Sequence, residues 1–113
     1  MSSAYDRGFE YRCNGMYAEA KVEFQKVLAE EPNHADALWQ LGLVLGFEGE
    51  FDESLATLQK VVTMQPNHEN ARYDLAMTFM MLGMIDEACA EFHKVLEQNP
   101  THEKALQQVA FCP

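Results

Sequence analysis

Apolar residues recur at three- and four-residue steps along most of the chain, the period of a helix with one face turned inward. Leu38, Leu41, Gly42 and Leu45 share such a face, and the pattern stops at Gly49. A glycine there permits the left-handed backbone that closes a helix. A second run follows through Leu55, Leu58, Val61 and Val62. Asp52, and later Asp86, stand where a side-chain oxygen can cap the start of a helix. Pro66 ends the second run, because proline lacks the donor N–H and biases the residue before it away from helical angles. The chain restarts after Asn67, a good cap. The prediction is helix, glycine turn, helix, proline break, with no strand.

This unit repeats. Pro32, Pro66 and Pro100 follow one another at a spacing of 34 residues, a period characteristic of stacked helical repeats. Identical residues fill further columns at the same spacing: Gly15, Gly49 and Gly83; Glu19, Glu53 and Glu87; Lys26, Lys60 and Lys94; Val27, Val61 and Val95; His34, His68 and His102. Tyr17, Phe51 and Ile85, and Phe24, Leu58 and Phe92, are similar in kind. The boundaries that result are 1–34, 35–68 and 69–102, with a final helix over 103–111 that opens a fourth unit through Ala105, Leu106, Val109 and Ala110. All of this reads as a single domain over 1–113.

The second unit carries Trp39, Leu41-Gly42, Phe51-Asp52-Glu53, Lys60 and Pro66-Asn67. The third carries Tyr73, Leu75-Ala76, Gly83, Asp86-Glu87-Ala88, Phe92 and Pro100. At this spacing the pattern resembles the tetratricopeptide repeat (TPR). The first unit departs from it at Arg7, where the others have Leu41 and Leu75, as suits an end repeat with a polar outer face. The resemblance implies an all-α, right-handed superhelical solenoid of three helix-turn-helix units plus a C-terminal capping helix.

The first helix of the second unit is apolar nearly all the way round, through Leu38, Trp39, Leu41, Leu43, Val44, Leu45 and Phe47. Such a helix is either fully buried or keeps a second face for a partner. By resemblance to the family, the columns of Trp39, Leu43 and Phe47 line the concave surface. Carried to all three units, they give a peptide-binding groove of Tyr5, Phe9, Arg12, Trp39, Leu43, Phe47, Tyr73, Met77, Met80 and Met81. The competing reading is that Phe47, Met77, Met80 and Met81 are ordinary core. Aromatic and methionine side chains suit an apolar or amphipathic peptide or helix. Asp6, Asp36 and Asp74 near these columns suit basic flanks on that partner, although they also fit solvated charges at helix starts. TPR domains that hold the C-terminal carboxylates of heat-shock chaperones carry cations along the groove. The corresponding residues here, Tyr5, Phe9, Gln40, Asn70 and Asp74, supply none. The asparagine ladder of the sugar-transferase superhelices is also replaced, by Asp6, Gln40 and Asp74.

A net charge of −10, with eight basic residues scattered among eighteen acidic ones, argues against nucleic acid as a partner. The most apolar run, Leu75 to Ile85, is too short for a membrane span, which takes about 20 residues. The N-terminus lacks the basic and apolar segments of a secretory signal. Cys13, Cys89 and Cys112 form an odd set without CxxC spacing and read as reduced thiols. The expected location is therefore cytoplasmic. Cys89, His93 and Glu97 share a helical face as metal ligands could, but surface helices give such triples often, and no metal or cofactor is expected. No phosphate loop, HExxH or nucleophile elbow supports an enzyme. Two functions remain: a peptide-binding adaptor or chaperone, and a homodimer or larger self-assembly scaffold joined through Leu106, Val109 and Phe111 on the final helix.

Overall fold

The computed structural model describes residues 3–113, and among them it contains seven helices and no strand. They are α1 (Ala4–Cys13), α2 (Tyr17–Glu30), α3 (Ala35–Phe47), α4 (Phe51–Met64), α5 (Glu69–Met81), α6 (Ile85–Gln98) and α7 (Glu103–Val109). Residues 1 and 2 of the first repeat unit lie outside the described residues. Each helix packs chiefly on its neighbours in sequence, and α3 also touches α1 and α5. This nearest-neighbour stacking gives an elongated body of 47 × 25 × 21 Å. No described helix is long and apolar enough to cross a membrane.

The helix pairs turn on Gly15, Gly49 and Gly83, whose φ angles of 74°, 81° and 76° lie in the left-handed region that favours glycine. At the second turn the Glu50 N–H donates to Leu45 O at 2.8 Å and the Gly49 N–H donates to Gly46 O at 3.1 Å. Those are the bonds that satisfy the last carbonyls of a helix closed by a left-handed residue. The chain then passes directly into α4 and α6, whose N-cap residues Glu50 and Met84 make no side-chain cap bond. Asp52 and Asp86 are therefore not the caps the sequence suggested. They lie inside the first turn, where their charge meets the positive end of the helix dipole.

The breaks between pairs are capped by histidine. The Nδ1 atoms of His34, His68 and His102 accept from the backbone N–H of Ala37, Ala71 and Ala105 at 3.0, 3.0 and 3.1 Å. Asn67, expected to cap α5, stands one residue too early. The recurring histidines thus have a structural role, each supplying a partner to one of the orphan donors at a helix start.

Within each pair a small residue of the first helix meets a large one of the second. A Cβ built on Gly42 would lie 2.7 Å from Leu58 Cδ2. Leu58 is buried, as are Phe24 and Phe92 in the same column. Gly8 and Ala76, one period before and after Gly42, are buried in the corresponding positions.

The thiols depart from expectation. Cys89 on α6 and Cys112 beyond α7 form a disulfide with Cα atoms 5.9 Å apart, leaving only Cys13 free and exposed among the cysteines. The packing of α7 on α6 brings together two cysteines separated by 23 residues, a pairing no local motif announces. The reduced-thiol argument for a cytoplasmic location falls with it. So does the Cys89, His93, Glu97 triple, since the Cys89 sulfur is committed elsewhere. α7 itself closes at Val109, short of Phe111, because the N–H groups of Phe111 and Cys112 turn back to Gln108 O and Val109 O at 3.0 and 2.9 Å.

Two stability measurements follow from these turns and links. Nothing lies within 4 Å of a Cβ at Gly49, so any cost of substitution there is conformational. Gly49→Val is expected to lose about 2 kcal/mol in urea unfolding and Gly49→Asn clearly less, because asparagine tolerates left-handed angles. Equal midpoints for the valine variant and the parent would contradict the turn. Cys112→Ser should cost about 2 to 4 kcal/mol under oxidising conditions and nothing once the parent is reduced.

Candidate binding groove

The first helix of each pair presents an aromatic residue backed by the histidine cap of the next pair. Tyr5 stacks on His34 with ring centroids 5.7 Å apart, and Tyr73 stacks on His102 at 5.3 Å. Trp39 meets His68 edge-on at 5.0 Å. Tyr5 and Tyr73 also pack against the core rings of Phe24 and Phe92. A cap that the backbone requires therefore doubles as a wall that fixes each aromatic ring.

Beside these rings lie two adjoining cavities. The first, of about 440 Å³, has Leu43, Phe47, Phe51, Met77 and Met81 around it, and Gly42, Gly46, Gly49, Ser54, Leu58, Asp74 and Thr78 complete its lining. Phe47 and Met81 are 55% and 60% exposed, so its rim is apolar surface open to water. Tyr17 stacks on the Phe47 ring at 5.2 Å and limits its movement. The second cavity, of about 580 Å³, is polar: Arg12, Trp39, Asn70, Tyr73, Asn99, Thr101, His102, Glu103 and Lys104 line it. Leu43 and Asp74 line both, so the two join into one trough.

Asp74 sits at the junction. The Trp39 indole N–H donates to its Oδ2 at 2.7 Å, linking α3 to α5. Burial pushes its carboxyl up from the ordinary 3.8 to about 6, against the opposing pull of the Trp39 hydrogen bond and of the Lys104 and Arg12 charges. Burial, then the Asp74 charge next to it, also raises the Tyr73 hydroxyl.

Of the groove residues expected from the sequence, Leu43, Phe47, Met77 and Met81 meet in the apolar cavity, and Arg12, Trp39, Leu43 and Tyr73 in the polar one. Tyr5 lies elsewhere, in a surface cleft with Ser3, Lys26 and Glu31. Phe9 is 42% exposed and carries the Arg12 guanidinium over its ring at 5.1 Å, outside both cavities. Met80 packs against the cluster around Phe92 instead. Lys104, Asn99 and Thr101 were not singled out by sequence, since they belong to the turn after α6 and the start of α7, and only the bend at Pro100 folds them over α5. Leu106 on α7 is 48% exposed and Phe111 just beyond it 79%, while Val109 is half-buried against that same Phe92 cluster.

The family model of the tetratricopeptide repeat matches residues 48–110. None of the curated proteins matches the sequence. Among solved structures, YrrB, described as a TPR protein with an unusual peptide-binding site, is 34% identical with a TM-score of 0.85, covering 94% of this chain and 55% of its own. MamA from Desulfovibrio magneticus RS-1 is 27% identical with a TM-score of 0.91, covering 96% of this chain and 61% of its own. The first TPR of Spaghetti (RPAP3), bound to the HSP90 peptide SRMEEVD, has a TM-score of 0.91 over 95% of this chain and 85% of its own. At 18% identity that likeness shows the fold alone. The chain thus spans less than two thirds of the length of the YrrB and MamA chains.

The Asp74 carboxyl makes a signed prediction about stability. Its folded pKa lies above its ordinary value, so between about pH 4 and 6 the folded state holds the proton more tightly and stability falls as pH rises. Above that window the loss is complete, at about 2 to 3 kcal/mol. Asp74→Asn should therefore raise the melting temperature at about pH 7.5, with the gain vanishing near pH 4. A gain equal at both pH values, or a loss at pH 7.5, would contradict the burial assigned to this group.

Proposed function

The chain belongs to the tetratricopeptide repeat family, a fold of protein-interaction modules, and from that starting point we propose that it acts as an adaptor or chaperone seating an apolar or amphipathic peptide or helix in its trough. The observation that carries this reading is the apolar cavity of about 440 Å³ with Phe47 and Met81 standing open at its rim. An isolated solenoid gains nothing from leaving large side chains in water around a concavity, whereas a ligand that buries them gains about 25 cal/mol per Å² of apolar area. Aromatic rings and flexible thioethers supply that area to ligands of irregular shape. The chain's net charge of −10 favours a partner with basic flanks. The peptide-binding site described for YrrB and the peptide bound to the RPAP3 domain make a peptide the natural class of ligand to test.

The test is an array of random 15-residue peptides probed with labelled protein. Bound peptides are expected to be rich in Leu, Phe, Met, Tyr, Lys and Arg, and Met77→Glu should weaken binding about tenfold or more while leaving helicity intact. An array on which the parent binds no better than Met77→Glu overturns the reading.

A second reading, self-assembly, rests on Leu106 and Phe111, both large and exposed on or just beyond α7. Val109 contributes less because it already packs on α6. If copies join through this surface, light scattering at high micromolar concentration will show a dimer or larger species, and replacing Leu106 and Phe111 with Glu will return it to monomer. A monomeric parent ends this reading and leaves the adaptor.

A further inference from the structure

Of the side chains around the apolar cavity, Asp74 alone is ionisable. The two hydroxyls there are already committed, Ser54 Oγ donating to Gly42 O at 2.7 Å and Thr78 Oγ1 to Asp74 O at 2.9 Å. Asp74 accepts one hydrogen bond, from Trp39, and among the described residues no cation is within ion-pair reach of it. Arg12 and Lys104 act on it only from a distance, and both line the polar cavity on its other side. A half-buried carboxylate without a cationic partner is costly, and the chain supplies no such partner from the apolar side.

We propose that the apolar cavity receives a lysine or arginine side chain of a partner peptide, its alkyl stem packed between Leu43, Phe47, Met77 and Met81 and its charged tip meeting Asp74. This rests on the trough being a peptide groove and adds the residue type that it selects. Lysine and arginine are the side chains that combine a long apolar stem with a charged end. A leucine or methionine in the same place would dry the carboxylate without pairing it, and an aspartate or glutamate would be repelled. The cation would form a charge-assisted hydrogen bond with Asp74, and the open face of Phe47 lies on its route in.

The groups that face Asp74 are Arg12 from α1, Trp39 from α3 with His68 against its ring, Tyr73 on α5 itself, and His102, Glu103 and Lys104 at the start of α7. From α4 only Phe51, Ser54 and Leu58 reach the cavity, and none is charged. With other charged groups around the trough, the pH test needs an Asp74 variant as its control.

A phage library of random dodecapeptides, panned on the intact chain at about pH 7.5, provides the probe. Selected clones are expected to carry Lys or Arg beside a large apolar residue. In the leading clone, made as a synthetic peptide, replacing the basic residue by norleucine keeps the stem and removes the charge, and should weaken binding to the parent at least about tenfold. Between pH 7.5 and 5 the ionised fraction of Asp74 falls about tenfold, and affinity for the basic peptide should fall with it. Asp74→Asn should bind both peptides equally and show neither effect. If the selected clones lack basic residues, or carry tyrosine in their place, or if norleucine binds as well as lysine, the basic-residue assignment is overturned while the groove reading stands. If no clone binds, both are overturned.

Discussion

Everything in this molecule depends on how closely the two helices of a pair approach. Gly42 has no Cβ, and Leu58 fills the space that a Cβ would need. With that contact made, the axes of α3 and α4 are set near each other, and the left-handed glycine at residue 49 can close the pair in a short turn. The same small-to-large column recurs at Gly8 with Phe24 and at Ala76 with Phe92. α3 touches both α1 and α5, and the trough runs along these first helices. A larger residue at position 42 would therefore disturb the cavity as well as the core, since Gly42 and Leu58 are both part of its lining.

The trough combines two environments that are rarely adjacent. Its apolar end exposes phenylalanine and methionine to water, and its polar end gathers Arg12, Lys104, Glu103 and two asparagines within reach of Trp39. Asp74 lies where the two meet, and its burial opposes the folded state at neutral pH. Binding sites often carry such a conflict, because groups arranged for a ligand are not arranged for the fold. The hydrogen bond from Trp39 relieves part of it and orients the carboxyl at the same time.

The periodic features were the legible ones. Glycines at 15, 49 and 83 and prolines at 32, 66 and 100 act through their own backbones, so their meaning is local and the turns fall where the sequence places them. The histidine column was visible as a repeat, but its role was not, because asparagine is the commoner cap and the histidines only show their purpose once Nδ1 is seen over the Ala N–H groups. Leu43, Phe47, Met77 and Met81 converge because they occupy equivalent columns of neighbouring first helices. Met80 does not, one step round the helix from Met81 being enough to turn it toward Phe92. The disulfide and the contribution of Lys104 depend on how α7 lies on α6, a long-range relation that carries no periodic signal.

The ring contacts of Tyr5, Trp39 and Tyr73 with the histidines of the following turns have a mechanical meaning. Each ring belongs to one pair of helices and each imidazole to the next, so the joint between pairs is riveted along the edge where the first helices run. The first helices touch one another directly, α1 on α3 and α3 on α5, whereas each second helix meets the neighbouring pair through its first helix. The ring contacts therefore add a tie along the first helices to the broader contact that each second helix makes with the next pair. On the proposed reading, a segment seated in the trough would press on Trp39, and through His68 that pressure would reach the joint itself, making the pitch of the coil part of what the ligand encounters.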